Sequence, residues 1–246
     1  MTGFLATLQR ELRAYFLSPL AYVVLTLFLV VNGFVFWLIL SFLTDPRSRI
    51  GAPLELFFGQ TVFFWLVLLF VTPILTMRLI AEERKSGTIE VLMTAPVSEA
   101  QVVLGKYAAA LVFYLFLWLP TLVYVAIIAW YGSVDPGPVA SGYLGILGIG
   151  AVFLAIGIFA SGLARNQIVA AILTFALVVL LFSFGLLESL VNSPFWKQVF
   201  GYLDLWQHMD DFSKGIVDSR RLVYYLSTTA FFLFLTTRVL EVKKWR

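Results

Sequence analysis

Six long apolar runs, separated by polar breaks, dominate the chain. Five of them reach the roughly 20 residues that an α-helix needs to cross the hydrocarbon core of a bilayer, and the last is shorter. None of the six contains an Asp, Glu, Lys, Arg or His residue. The pattern predicts an all-α integral membrane protein that forms one transmembrane domain over residues 1–246. We expect its spans at residues 20–43, 57–77, 107–131, 142–163, 168–187 and 222–237.

Composition agrees with this pattern. Hydrophobic residues make up 61% of the 246 residues and charged residues 13%, against about 45–50% and about 25% in soluble domains. These values exclude an ordinary soluble enzyme and a disordered chain, and continuous apolar runs exclude the alternating pattern of a transmembrane barrel. The chain has no cysteine and only one histidine, so a thiolate nucleophile and a site with several histidines are both excluded.

The distribution of basic residues predicts the orientation of the spans. If the N-terminus is cytoplasmic, the cytoplasmic segments carry 11 Lys and Arg residues and the outer segments carry 6. Because cytoplasmic loops carry the excess of Lys and Arg, we expect both termini in the cytoplasm. The first apolar run is longer than the roughly 7–15-residue core of a signal peptide, and we expect it to be retained as a span.

Residues 2–18 have the pattern of an amphipathic helix that lies on the cytoplasmic face. Apolar side chains recur at helical spacing, while Arg10 and Arg13 lie on other faces and can meet anionic lipid. A simple topogenic anchor is the alternative. The apolar positions are Phe4, Leu5, Leu8, Leu12 and Phe16.

The polar segment 78–106 is the most informative part of the sequence. A charged cluster at residues 82–85 is followed by Gly87, which can end a helix in the left-handed conformation. Thr88 can cap a short helix that Pro96 closes, and Ser98 with Gln101 forms a capping box for the next helix. The segment therefore predicts a helix, a short helix and a further helix, which suits the docking of a partner. A topogenic loop with a solvated charge cluster is the alternative.

Sequence motifs for catalysis are lacking. Gly105 and Lys106 resemble the end of a phosphate-binding loop, but Ala100 stands where that motif needs glycine and Tyr107 where it needs Ser or Thr. A carrier usually keeps an ionisable residue inside its spans, and a hydrolase needs a nucleophile or metal ligands. We expect that the chain is not an enzyme and that its energy arrives from another subunit.

Two further features concern the spans themselves. Pro73 and Pro120 are expected to kink the second and third spans. The fourth span carries small residues four positions apart, among them Gly157 and Ser161, and we interpret them as sites of close helix packing.

The segment 188–221 is predicted on the outer side. Ser193 and Pro194 form a helix start, and an amphipathic helix at the outer leaflet is expected after them. A solvated acidic edge follows, for which a carboxylate–histidine metal site is the weaker alternative because only one imidazole is available. We expect no metal. The acidic edge with its histidine consists of Asp204, His208, Asp210 and Asp211.

The cytoplasmic segment resembles the signature of type-2 ATP-binding-cassette (ABC) transporter permeases, an exporter class. The resemblance rests on Glu82-Glu83-Arg84, Gly87-Thr88-Ile89-Glu90, Leu92, Pro96, Ser98 and Gly105-Lys106, and the topology extends it over the whole chain. The chain also resembles the compact gliding-motility-type permeases of that class, in residues 215–218 and 221–225.

The resemblance implies a transporter subunit, with export as the expected direction, in a bacterial inner membrane. Two copies of a cytoplasmic ABC ATPase would bind ATP and Mg, while this chain binds no cofactor. A second permease, identical or homologous, would form the pathway together with this chain, between the two permeases and lined by the second and fifth spans. An auxiliary envelope subunit would be a further partner, and no nucleic acid is expected.

The resemblance also implies roles for particular segments. Residues 2–18, with Arg10 and Arg13, would be the connecting helix, and residues 188–211 the outer re-entrant helices. A membrane scaffold or mechanical-coupling subunit, and then a secondary carrier or an intramembrane enzyme, are the alternatives. The ATPase would dock on a coupling helix and the residues before it, namely Glu82, Glu83, Arg84, Gly87, Thr88, Ile89, Glu90, Val91, Leu92, Met93 and Thr94.

Overall fold

A computed structural model describes residues 2–43, 53–88, 97–132 and 134–244. All regular elements in these residues are helical. The helices are α1 (Thr2–Phe16), α2 (Pro19–Leu43), α3 (Pro53–Glu55), α4 (Val62–Thr76), α5 (Ala81–Lys85), α6 (Glu99–Trp118), α7 (Leu122–Tyr131), α8 (Pro136–Leu163), α9 (Gln167–Leu190), α10 (Pro194–Leu203), α11 (Leu205–Ser213) and α12 (Ser219–Lys244). A π-helical turn, Leu56–Gln60, precedes α4, and a 3-10 turn, Leu119–Thr121, joins α6 to α7.

Within the described ranges, six helical stretches are long and apolar enough to cross a membrane, which confirms the all-α membrane fold. Their bounds are Pro19–Phe42, Val62–Lys85, Glu99–Tyr131, Pro136–Leu163, Gln167–Glu188 and Ser219–Val242. The third, fourth and sixth stretches begin earlier than the apolar runs suggest, because each helix starts in the polar break that precedes its apolar run. As a result Lys106, which belongs to the polar break before the third apolar run, lies within the helix of the third span.

The second span begins later than its apolar run. Gly59 has a φ of 95°, a left-handed conformation that interrupts the helix. The indole Nε1 of Trp65 donates a hydrogen bond of 2.9 Å to the carbonyl of Gly59, and Met209 of α11 packs against Gly59. The apolar residues before Val62 therefore form a buried turn and not the start of the spanning helix.

The two prolines of the spans lie in different local structures. Pro120 lies in the 3-10 turn, where the α-helix of the third span is interrupted, whereas Pro73 lies within the continuous helix α4.

An open apolar groove of about 1140 Å³ lies between the third and fourth spans, with Leu122, Val125 and Leu144 among its lining residues.

Helix α8 forms the centre of the bundle. It packs against α4, α6, α9, α11 and α12, and it is the most buried of the six spans. Its glycines permit this packing, since a Cβ atom at Gly150 would overlap the ring of Tyr114. The small residues of the fourth span therefore serve helix packing, as predicted.

Helix α1 lies against α6 rather than only against lipid. Tyr15 near its end is buried and stacks on Phe113 with ring centroids 5.0 Å apart. Its hydroxyl donates a hydrogen bond of 2.6 Å to the carbonyl of Leu75 in α4. This buried contact joins α1 to two spans.

Candidate functional site

Four charged residues form an ion cluster at the end of the bundle where α1, α5 and α6 meet, consisting of Arg10, Glu11, Glu83 and Lys106. The Nζ atom of Lys106 lies 2.8 Å from Oε1 of Glu11 and 2.9 Å from Oε1 of Glu83. Arg10 reaches the same two carboxylates. The cluster joins α1, α5 and α6, and its two positive charges balance its two negative charges.

The ion cluster is centred on a buried charge and is not a surface salt bridge. Lys106 is only 1% exposed, and a buried ammonium group is stable as a charge only when it is paired. Burial opposes the ionisation of Glu11, but Lys106 and Arg10 outweigh it and hold the pKa of Glu11 below its usual value. The carboxylate therefore stays charged at neutral pH.

Gly105 explains how the lysine reaches its partners. A Cβ atom at this position would lie 2.9 Å from Cβ of Thr7 and 3.2 Å from the carbonyl oxygen of Phe4. Only glycine therefore lets α1 approach α6 this closely. The Gly105-Lys106 pair, rejected above as a nucleotide-binding motif, brings α1 within reach of a buried charge.

The rest of α5 is anchored to other spans. The guanidinium of Arg84 donates to the carbonyls of Gly162, Leu163 and Ala164, at 2.9, 3.2 and 2.7 Å. These are the last carbonyls of α8, which lack partners within their own helix. On the other side of α5, Glu82 accepts a hydrogen bond from Gln167 at the start of α9.

The structure brings together four of the residues singled out by sequence, namely Arg10, Glu82, Glu83 and Arg84. Arg13 is exposed on α1 and lies apart from the ion cluster. The chain then leaves α5 as predicted. Gly87 has a φ of 72° after the helix end, and the hydroxyls of Ser86 and Thr88 lie 2.9 Å apart on the surface.

The remaining positions of the expected coupling helix, Ile89, Glu90, Val91, Leu92, Met93 and Thr94, lie outside the described residues. Beyond them the capping box is present. The Ser98 hydroxyl accepts a hydrogen bond from the amide of Gln101, whose side chain accepts one from the amide of Ser98. The third helix of the predicted series therefore starts where the sequence indicates.

Sequence reasoning missed Glu11 and Lys106 as members of the site. From the sequence, Lys106 stands out only in the Gly105-Lys106 pair at the end of the polar segment, and Glu11 receives no role. Two sequence features could have pointed to them: the Gly105-Lys106 pair, and the carboxylate of Glu11 on the otherwise apolar face of the N-terminal helix. Only the tertiary contacts show that this carboxylate pairs with Lys106.

The acidic residues of segment 204–211 are engaged in internal contacts. Asp204 caps α11 through the amide of Trp206 at 2.9 Å, and Asp211 pairs with Arg221. Asp210 binds Gln60 at 3.0 Å and Lys214. Among the described residues, no group of three or more His, Asp or Glu side chains is arranged to hold a metal ion.

His208 is buried rather than solvated. Its ring lies edge-on to Tyr224 and Tyr225, and Nε2 donates a hydrogen bond of 3.2 Å to the carbonyl of Tyr202. Burial, together with the nearby charge of Arg221, lowers the pKa of His208 to about 4. The imidazole is therefore neutral at physiological pH and serves the packing of α11 against α12.

Comparison with known families agrees with this architecture. The sequence profile of the family described as "ABC-2 family transporter protein" matches residues 60–244. The chain belongs to the ABC-2 family. This ABC-2 protein is thus a multi-pass transmembrane permease subunit of an ABC transporter. Membership implies a partnership with a cytoplasmic ABC ATPase and a dimer in the membrane.

The region that matches the family profile contains only part of the ion cluster. Glu83 and Lys106 lie inside it, whereas α1 with Arg10 and Glu11 precedes it. Comparison with individual curated proteins finds no match.

Proposed function

We propose that this ABC-2 permease is driven by a cytoplasmic ABC ATPase that docks on residues 88–94, directly after α5. The anchoring of α5 is the observation that carries the proposal. Glu83 ties it to α1 and α6, Arg84 to α8, and Glu82 to α9. Ser86, Gly87 and Thr88 then lead the chain outward as exposed residues.

This arrangement suits the transmission of force. A helix held to four others moves with them, so a push on the following segment reaches the spans instead of bending a free loop. A scaffold without transport needs no such anchorage between a cytoplasmic segment and four membrane-associated helices.

The charged residues of α5 divide between support and docking. The side chain of Glu83 is only 15% exposed and faces Lys106, and Arg84 is occupied by three carbonyls. These contacts favour a supporting role for both residues. Glu82 is exposed and remains within reach of a docked ATPase.

The proposed assembly contains two ATPase copies, which bind ATP and Mg, and a second permease that is identical or homologous. Export is the proposed direction of transport. The excess of Lys and Arg on one side supports an inner-membrane orientation with both termini in the cytoplasm.

Site-specific cross-linking tests the docking proposal. The chain has no cysteine, so Thr88→Cys provides one attachment point for a photoactivated cross-linker in membranes from the native host. We expect a cross-link to a protein with a nucleotide-binding domain. Ile216→Cys is the matched control, because Ile216 is also exposed but lies in the outer segment between α11 and α12.

The two positions give distinct outcomes. Cross-linking of the ATPase from residue 88 and not from residue 216 supports both the docking site and the orientation. Cross-linking from residue 216 alone would reverse the orientation, and failure at both positions in a complex that still contains the ATPase would remove the docking assignment.

A further inference from the structure

The turn between α4 and α5 is held by a residue of another span. Helix α4 ends at Thr76 and α5 begins at Ala81, and the first amides of a helix lack partners within it. The N-cap residue Ile80 supplies no side-chain cap. Instead the amides of Ile80 and Ala81 both donate to the hydroxyl of Ser161 in α8, each at 3.0 Å.

Ser161 is also bonded to the other side of the turn. Its hydroxyl donates a hydrogen bond of 3.2 Å to the carbonyl of Met77. The Ser161 side chain is fully buried, so water does not compete for these hydrogen bonds. A single hydroxyl of the fourth span thus binds both sides of the turn that leads into the cytoplasmic segment.

The neighbouring turn of α8 fits against the end of α4. A Cβ atom at Gly157, one helical turn before Ser161, would overlap the side chain of Thr76. Because only glycine leaves room there, Thr76 is seated on α8 immediately before the bonded turn. At the other end of α5, Arg84 holds the last carbonyls of α8.

These contacts couple α5 to α8. Beyond its covalent link to α4, α5 packs against α8 and α9, and α8 is the most buried span. A displacement of α5 must therefore either carry the end of α8 with it or break hydrogen bonds in a buried site.

We propose that Ser161 is a positioning residue that transmits movement of the cytoplasmic segment to the fourth span. This inference rests on the proposed function, since an ATPase must supply the movement. It assigns the first displacement inside the membrane to α8, through the Ser161 hydroxyl in addition to Arg84, rather than to α4 through the chain alone.

Paired spin labels test this route in the complex of permease and co-purified ATPase. Cysteines replace Tyr22 and Lys85 in one sample, and Tyr22 and Leu163 in the other. All three residues are exposed, on α2, α5 and the end of α8. The first pair reports movement of α5 and the second movement of α8, each measured without nucleotide and with ATP plus vanadate.

In the otherwise unchanged protein, both distances should change when ATP and vanadate are added. In Ser161→Ala the first distance should still change, whereas the shift of the second should become smaller, because only Arg84 still links α5 to the end of α8. Ser161→Thr keeps the hydroxyl and should restore that shift, which a purely structural defect would not explain. Ser141→Ala is the matched control, because Ser141 also lies buried on α8 but binds the carbonyl of Phe212 at its outer end.

The outcomes separate this inference from the proposed function. If both distance changes in Ser161→Ala are as large as in the protein with Ser161, the role of Ser161 is overturned while the ATPase-driven function stands. If neither distance changes in the protein with an unchanged Ser161, the proposed function and the inference both fall.

Amide exchange gives a second measurement that needs no substitution. The amides of Ile80 and Ala81 should remain as protected from hydrogen–deuterium exchange with ATP and vanadate as without them, because they stay bonded to the Ser161 hydroxyl. Rapid exchange of both amides in the vanadate-trapped complex would show that the turn separates from α8, and would overturn the proposal.

Discussion

Lys106 illustrates how a single buried charge depends on its neighbours. Two carboxylates lie within 2.9 Å of its ammonium group, and removing one partner of a buried ion pair typically costs about 3–5 kcal/mol because it leaves the other uncompensated. The charge balance of the ion cluster therefore matters more than any one of its bonds.

We expect Lys106→Met to lower the thermal unfolding midpoint of the detergent-solubilised protein strongly, because Glu11 and Glu83 lose their shared partner. The double variant Lys106→Met with Glu83→Gln should recover part of that loss, since Arg10 and Glu11 can still pair. Lys214→Met serves as the control, because Lys214 lies at the surface, and it should change the midpoint little. Equal midpoints for Lys106→Met and Lys214→Met would contradict the buried cluster.

His208 provides a pH-dependent test at the same scale. Its pKa of about 4 in the folded protein lies below the ordinary value of 6.5, so between these values the unfolded chain binds a proton that the folded chain does not. Stability should therefore fall as the pH is lowered through this window, by about 2 kcal/mol between pH 7 and pH 5.

The chain has one histidine, which makes the attribution direct. His208→Phe should unfold at a midpoint that is less sensitive to pH over the same range, measured by thermal unfolding at pH 7 and pH 5. An unchanged pH response in this variant would show that His208 is not the group that titrates.

At the scale of elements, the approach of α1 to α6 determines whether the ion cluster can form. Gly105→Ala places a methyl group against Thr7 and the Phe4 carbonyl, and such overpacking typically costs about 1–3 kcal/mol. We expect a lower unfolding midpoint and weaker protection of α1 from proteolysis. Gly132→Ala is the control, since a Cβ there meets no atom nearer than 3.8 Å.

The comparison of these two variants is decisive for the packing of α1. If Gly105→Ala matches Gly132→Ala in both midpoint and proteolysis, then α1 does not rest on α6 at this position. The supporting role of the ion cluster would then lose its geometric basis.

The sequence predicts well which segments of the chain form helices. Long apolar runs, the Ser98–Gln101 capping box and the Ser193–Pro194 helix start all have local physical causes, and the structure has helices at each. The start of the second span could not be predicted, because Phe57 and Phe58 are apolar for burial in a turn rather than for contact with lipid. Likewise, nothing local to Lys106 indicates that its partners lie on α1 and α5.

In the molecule as a whole, the charged segment that contains α5 lies where four membrane-associated helices converge. The sequence identified that segment through its pattern, yet it could not distinguish residues that support the segment from residues that face a partner. That distinction needs tertiary contacts, since Glu82 and Glu83 are adjacent in the chain and point to different helices.

We propose above that an ATPase docked on residues 88–94 drives the permease. Native mass spectrometry of the tagged chain, purified from its own membranes in mild detergent, tests this proposal. We predict a complex that contains two permease subunits and two copies of a cytoplasmic ATPase. Recovery of the chain without any ATPase, under conditions that keep other membrane complexes intact, would contradict it.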